Sequence, residues 1–142
     1  MKFYEAGADI GAPPETVWAI LADGRSYPAW NSGVLSVDGT IARGEIITVV
    51  STAAPKRRFP VTVTEFDPPR AMTWTGGLPY GLFTGVRTFR LTPAPDGGTR
   101  FDLREEYSGM LLRLLWSRLP NLGPSFEQFA AGLKARAEQS RQ

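Results

Sequence analysis

Arg87, Glu105 and Tyr107 have the residue types and spacing in this 142-residue chain that can do chemistry. They lie on two alternating runs flanking the turn-rich segment Pro93-Ala94-Pro95-Asp96-Gly97-Gly98. Phe83, Gly85, Arg87, Phe89 and Leu91 share one side of the first run; Phe101, Leu103, Glu105 and Tyr107 share one side of the second. A hairpin centred on Asp96 pairs Leu91 with Phe101, Phe89 with Leu103, and Arg87 with Glu105. An Arg and a Glu then face each other on the apolar side of a sheet. There the guanidinium fork can orient a ligand's carbonyl, phenol or carboxylate. A desolvated Glu105 can act as a base, and Tyr107 can add a phenol. The same pair also makes sense as structure alone, each charge neutralising the other.

Composition removes most other chemistries. The chain has no His and no Cys, which excludes Ser-His triads, Cys nucleophiles, disulfides and zinc sites built on either residue. Acid–base work must therefore come from Asp, Glu, Tyr, Lys or Arg. No phosphate-binding glycine loop and no carboxylate cluster stands out, so neither a cofactor nor a metal is expected. The net charge of +2 has no basic stripe behind it, so no nucleic-acid partner is expected. Lys56-Arg57-Arg58 reads as a charged loop or strand edge. No apolar run has the length of a membrane span and the N-terminus is too polar for a signal segment, so a cytoplasmic location is expected. The oligomeric state stays open.

The elements that must position the three residues can be read in order. Phe3–Ile10 alternates as a strand. Pro14 opens a helix carrying Val17, Trp18, Ile20 and Leu21, ending near Asp23-Gly24. A second short helical piece leads to Trp30-Asn31. Strands follow over 33–39, 45–51, 58–66 and 71–75, the last two joined by the tight turn Asp67-Pro68-Pro69-Arg70. Residues 76–81 form a flexible connector into the hairpin. Two helical pieces close the chain: the apolar run Met110–Leu119, then, past an interruption at Pro120 and Gly123-Pro124, a helix for which Ser125 and Gln128 offer a capping box. Phe126, Phe129, Ala130, Leu133 and Ala137 make its apolar stripe.

One strand, two short helices, six strands and a terminal helix is an α+β order for a single domain over 1–142. A curved antiparallel sheet of about seven strands wraps the long C-terminal helix, leaving a pocket between them. Beyond Arg87, Glu105 and Tyr107, the pocket candidates are the inward Phe89, Phe101 and Leu103, with Met72 and Trp74 from the fifth strand. Phe126, Phe129 and Leu133 close it from the helix. Trp30 and Asn31 are candidates for its mouth, and 76–85 for a gate plugged by Tyr80, Leu82 and Phe83. For each, packing or an ordinary turn is the competing reading.

Three stretches carry a family resemblance. Ala12-Pro13-Pro14-Glu15-Thr16-Val17-Trp18-Ala19-Ile20-Leu21 followed by Tyr27-Pro28-Ala29-Trp30-Asn31 resembles the opening of the START-related polyketide-cyclase/SRPBCC superfamily. Thr64-Glu65-Phe66-Asp67-Pro68-Pro69-Arg70 leading to Thr73-Trp74 is similar to its middle strand–turn–strand. Phe126-Glu127-Gln128-Phe129 through Glu138 is similar to its closing helix. The resemblance implies a helix-grip fold with a hydrophobic cavity for lipids, polyketides or other aromatic molecules. Some members of that superfamily are cyclases or dehydratases, and many only carry ligands. The expectation is a protein that binds or carries a small hydrophobic molecule. A cyclase/dehydratase-type enzyme using Glu105, Arg87 and Tyr107 is the alternative, and an interaction or regulatory module built on Met110–Leu119 is a further one.

Overall fold

The computed structural model describes residues 2–119 and 121–139. Pro120, expected to interrupt the terminal helix, lies outside them. Seven strands form one antiparallel sheet: β1 (Lys2–Ile10), β2 (Val34–Asp38), β3 (Ile46–Ser51), β4 (Phe59–Asp67), β5 (Ala71–Leu78), β6 (Phe83–Pro93) and β7 (Thr99–Ser108). Their order across the sheet is β1-β7-β6-β5-β4-β3-β2. After the first strand, β2 to β7 run as a meander, and β1 closes the far edge against β7. Two short helical pieces follow β1: α1 (Pro14–Leu21) and a 3-10 segment, Gly24–Trp30. The single turn α2 (Leu112–Trp116) and the long α3 (Gly123–Gln139) end the chain. The sheet curls into a half-barrel around α3.

The central hairpin has the register that its spacing predicts. Leu91 faces Phe101, Phe89 faces Leu103 and Arg87 faces Glu105. The turn is closed by backbone chemistry: Ala94 N–H donates to Gly98 O at 3.0 Å, and Gly98 N–H donates to Asp96 Oδ1 at 2.9 Å. Gly97 sits between them at φ 87°, a conformation that favours glycine. With the turn locked, the alternation along both strands decides which residues enter the interior.

Two rows of cross-strand partners divide that interior. Phe66, Met72, Phe89, Leu103 and Ala6 form one row across β4, β5, β6, β7 and β1. Here Met72, Phe89 and Leu103 are buried, and Phe89 meets α3 at Phe129. Phe129 is the hub of the contact, its ring 5.1 Å from Trp30, 5.4 Å from Tyr27 and 5.9 Å from Phe89. The stripe of Phe126, Phe129, Ala130, Leu133 and Ala137 is buried as its helical spacing predicts. Toward the open end, two residues along β5, β6, β7 and β1 and three along β4, where the register shifts, the partners become Val63, Trp74, Arg87, Glu105 and Tyr4. The helix does not cover this second row in the same way.

Three expectations need correction. Residues 76–78 are not connector: β5 runs on to Leu78, with Gly76, Gly77 and Leu78 laddered to Gly85, Thr84 and Phe83. The stretch 76–85 expected as a gate is therefore a hairpin tip, with both arms paired strand and only Pro79–Leu82 as the turn. The capping box of Ser125 and Gln128 is absent. The helix starts two residues before Ser125, and Gln128 spends its amide on Asn31 Oδ1 at 2.9 Å. Asn121 Oδ1 instead accepts the Gly123 N–H at 3.0 Å. The apolar run 110–119 yields only one helical turn, over Leu112–Trp116.

Candidate functional site

A cavity of about 170 Å³ opens above the second row, roughly tenfold the ~10–15 Å³ that one water requires. Its floor is the sheet: Trp74, Arg87, Glu105 and Tyr4 in one row, and Val61, Gly76, Gly85 and Tyr107 in the next. Period-two geometry puts both rows on the same face, and the two adjacent glycines leave the second one hollow. Trp116 of α2, with Leu119 and Leu122 beyond it, makes the roof. Val34, Val49, Ser51 and Phe59 close the far side from the curled end of the sheet. The roof is held by rings. Trp116 stacks on Tyr4 at 5.5 Å and meets Tyr107 edge-on at 5.4 Å.

Arg87 and Glu105 are the only charged residues lining the cavity, among the described residues, and they are paired. Arg87 Nη2 donates to Glu105 Oε2 at 3.1 Å, with the side chains 21% and 14% exposed. Tyr107 Oη donates a short hydrogen bond to the same Oε2. The Phe126 ring covers the other side of the guanidinium at 4.8 Å. Burial works against the charge on Arg87, but the field and hydrogen bond of Glu105 with the nearby Tyr107 outweigh it and push the Arg87 pKa up. Burial, then the Glu105 charge and its hydrogen bond, push the Tyr107 pKa well above the usual phenol range, against the smaller pull of Arg87. The phenol keeps its proton and the guanidinium keeps its charge.

One carboxylate oxygen already accepts from two donors, and the phenolic proton is spent on it. The cluster is neutral as a unit. Two buried N–H groups on the same row, Trp74 Nε1 and Arg87 Nε, have no acceptor among the described residues.

Of the residues singled out in the sequence, Trp74, Phe83, Arg87, Glu105 and Tyr107 come together around the cavity. Phe126 reaches it indirectly, over Arg87. Met72, Phe89, Phe101, Leu103, Phe129 and Leu133 do not border the cavity; they are the solid part of the core beneath it. Trp30 is buried in the Tyr27–Phe129 cluster, and its Nε1 donates to Ser26 Oγ at 3.3 Å, so it is not at the mouth. Asn31 bonds Gln128 from a left-handed backbone conformation, and Tyr80 is 93% exposed at the tip of the β5–β6 turn. Trp116 lies over the cavity, as packing of the apolar run 110–119 across a pocket opening would have it, and Tyr4, Val61, Leu119 and Leu122 line the cavity although their positions suggested no such role. Alternation along β1 and β4 offers a signal for Tyr4 and Val61; nothing local marks Leu119 and Leu122.

The family model described as polyketide cyclase / dehydrase and lipid transport matches residues 4–138. A search of curated proteins finds no match. Among solved structures, the fold is similar to protein MLL2253 from Mesorhizobium loti, with a TM-score of 0.75, 19% identity and 98% of each chain covered. It is also similar to a START superfamily protein from Mycobacterium smegmatis, with a TM-score of 0.71 and 18% identity over 97% of this chain and 98% of that one. DynU16, from the dynemicin biosynthetic locus, superposes with a TM-score of 0.73 and 17% identity, using 99% of this chain and 48% of its own. At these identities the likeness is one of fold.

Proposed function

The chain belongs to the polyketide cyclase/dehydrase and lipid transport family, and from that premise we propose that it binds and carries a small hydrophobic molecule, aromatic, polyketide-like or lipid-like, without transforming it. The observation that carries this reading is an apolar cavity whose charged lining is self-neutralised: Arg87 and Glu105 form an ion pair and no net charge faces the ligand. The cavity lies between the sheet and α2 with its following connection, while α3 fills the rest of the interior.

A second reading has one observation in its favour, the convergence of Glu105, Arg87 and Tyr107 at the cavity wall. That trio is of the right type for cyclase or dehydratase chemistry. The raised Tyr107 pKa and the double occupation of Glu105 Oε2 speak for binding instead.

Native mass spectrometry of the purified protein, followed by denaturing extraction, tests the proposal. An apolar adduct, recovered unchanged after prolonged incubation, is the expected result. Conversion of the extracted molecule by wild-type protein but not by Glu105→Gln would overturn the carrier reading in favour of the enzyme. Failure to take up any of a panel of one- to three-ring aromatic and acyl probes would overturn the cavity reading itself.

A further inference from the structure

Gly85 is a glycine that the backbone does not demand. Its φ lies outside the left-handed region. A Cβ placed there would stand 3.4 Å from Glu105 Oε1 and 3.5 Å from Tyr107 Cε1, both ordinary contacts. Its neighbours differ. A Cβ on Gly76 would strike Val61 Cγ1 at 2.8 Å, and Gly77 combines φ 133° with a clash at Phe83 O. Glycine inside a strand weakens it, and one that no steric contact explains marks a place where something else approaches the backbone. At Gly85 the missing side chain leaves open cavity directly beside a carboxylate oxygen.

That oxygen is unshared. Glu105 Oε2 accepts from Arg87 and Tyr107, whereas Oε1 accepts from no described residue and is not among the sealed, unpartnered atoms. An ionised carboxylate accepts at both oxygens. On the same row, Arg87 Nε and Trp74 Nε1 lack an acceptor. Both are sealed within the wall, so the cavity meets one acceptor, Glu105 Oε1, in a cluster whose charges are already balanced.

Resting on the reading that the cavity holds a small apolar molecule, we propose that this molecule is neutral and carries a hydroxyl group that lies over Gly85 and donates to Glu105 Oε1, making Gly85 the residue that sets what the cavity admits. A neutral hydroxyl supplies the one donor that the free acceptor lacks, in a group small enough for the space over Gly85. An acid is disfavoured, because its carboxylate would meet Glu105 with Arg87 already engaged. A cation is disfavoured as well, because it would be desolvated beside a cluster with no net charge. The bound molecule is therefore a hydroxylated ring or alcohol and not a fatty acid.

The test compares 2-naphthol, 2-methylnaphthalene, 2-naphthoate and 2-naphthyl-trimethylammonium by isothermal titration against wild type and Gly85→Ala. Wild type is expected to bind naphthol about tenfold tighter than methylnaphthalene, the scale of a hydrogen bond to a charged group, and to bind the two ions more weakly than either. Gly85→Ala is expected to keep the wild-type melting temperature and to lose the naphthol advantage. Equal affinity for naphthol and methylnaphthalene, or preference for either ion, overturns the proposal while the cavity reading stands. An advantage that survives in Gly85→Ala overturns the role of Gly85. If neither naphthol nor methylnaphthalene binds, the cavity reading fails and this proposal with it. Should Gly85→Ala not fold, its steric neutrality is refuted, and the wild-type comparison alone still decides the hydroxyl.

Discussion

Two donors converge on Glu105 Oε2, which ties the stability of three side chains to one carboxylate. With the pair largely out of water, removing either partner strands the other charge. Glu105→Leu is expected to cost about 3 kcal/mol, because the Arg87 guanidinium loses its counter-charge and Tyr107 its acceptor. The double variant Arg87→Met/Glu105→Leu should recover much of that loss, since two apolar groups replace two charges. Urea unfolding of the two single variants and the double variant checks this; strictly additive losses would mean the pair is not coupled. The pair's position opposite each other across β6 and β7 was legible in the residues. That Tyr107 spends its proton on the same oxygen was not, because alternation places side chains on a face without saying where their ends meet.

The helices divide the interior between them. α3 presents Phe129 to four rings, those of Tyr27, Trp30, Phe89 and Phe101, and leaves no gap there. α2 is one turn, contributes no buried residue, and holds the cavity roof through Trp116 alone. Phe129→Ala is therefore expected to destabilise by about 3–5 kcal/mol, the cost of an aromatic cavity in a close-packed core. Trp116→Ala should cost about 1 kcal/mol, the value of an aromatic pair at a part-exposed site, while weakening ligand binding more than Phe129→Leu does. Melting and titration of the same variants separate the two roles. A Trp116 variant as unstable as Phe129→Ala would show that roof and core are one cooperative unit. The stripe on α3 could be read from its 3.6-residue period. The shortness of α2 could not, because Leu111–Trp116 is apolar nearly all round, Arg113 apart, and periodicity gives it no preferred face.

Across the whole molecule, the half-barrel keeps two phenols away from water. Burial is the main cause that raises Tyr27 and Tyr107 above the ordinary value of 10.0; the charges of Asp23 and Glu105 add to it and Arg87 opposes it. A group whose folded pKa is raised binds its proton more tightly in the native state. Its stability contribution is complete below the unfolded pKa and is lost as pH rises beyond it. Global stability is thus expected to hold to about pH 10, the unfolded phenol value, and to fall steadily above it. Tyr107→Phe should make that fall shallower by up to one proton's worth of slope. Urea midpoints across the alkaline range measure it; an unchanged slope would mean that the Tyr107 phenol is open to solvent.

By itself the sequence determined the local geometry: the hairpin register about Asp96, the faces of its strands, the apolar stripe of α3 and the opposition of Arg87 to Glu105. These follow from neighbours close along the chain, through turn chemistry and fixed periods of two and 3.6. Tertiary structure alone decided which inward residues became solid core and which became cavity. Phe89 and Arg87 are two residues apart on one face, yet Phe89 lies under Phe129 while Arg87 lies under Phe126 and beside open space. Tyr4, Gly85 and Trp116 meet at that space from three distant parts of the chain. The division depends on where a helix remote in sequence comes to rest on the sheet, and no periodicity within a strand encodes that distance.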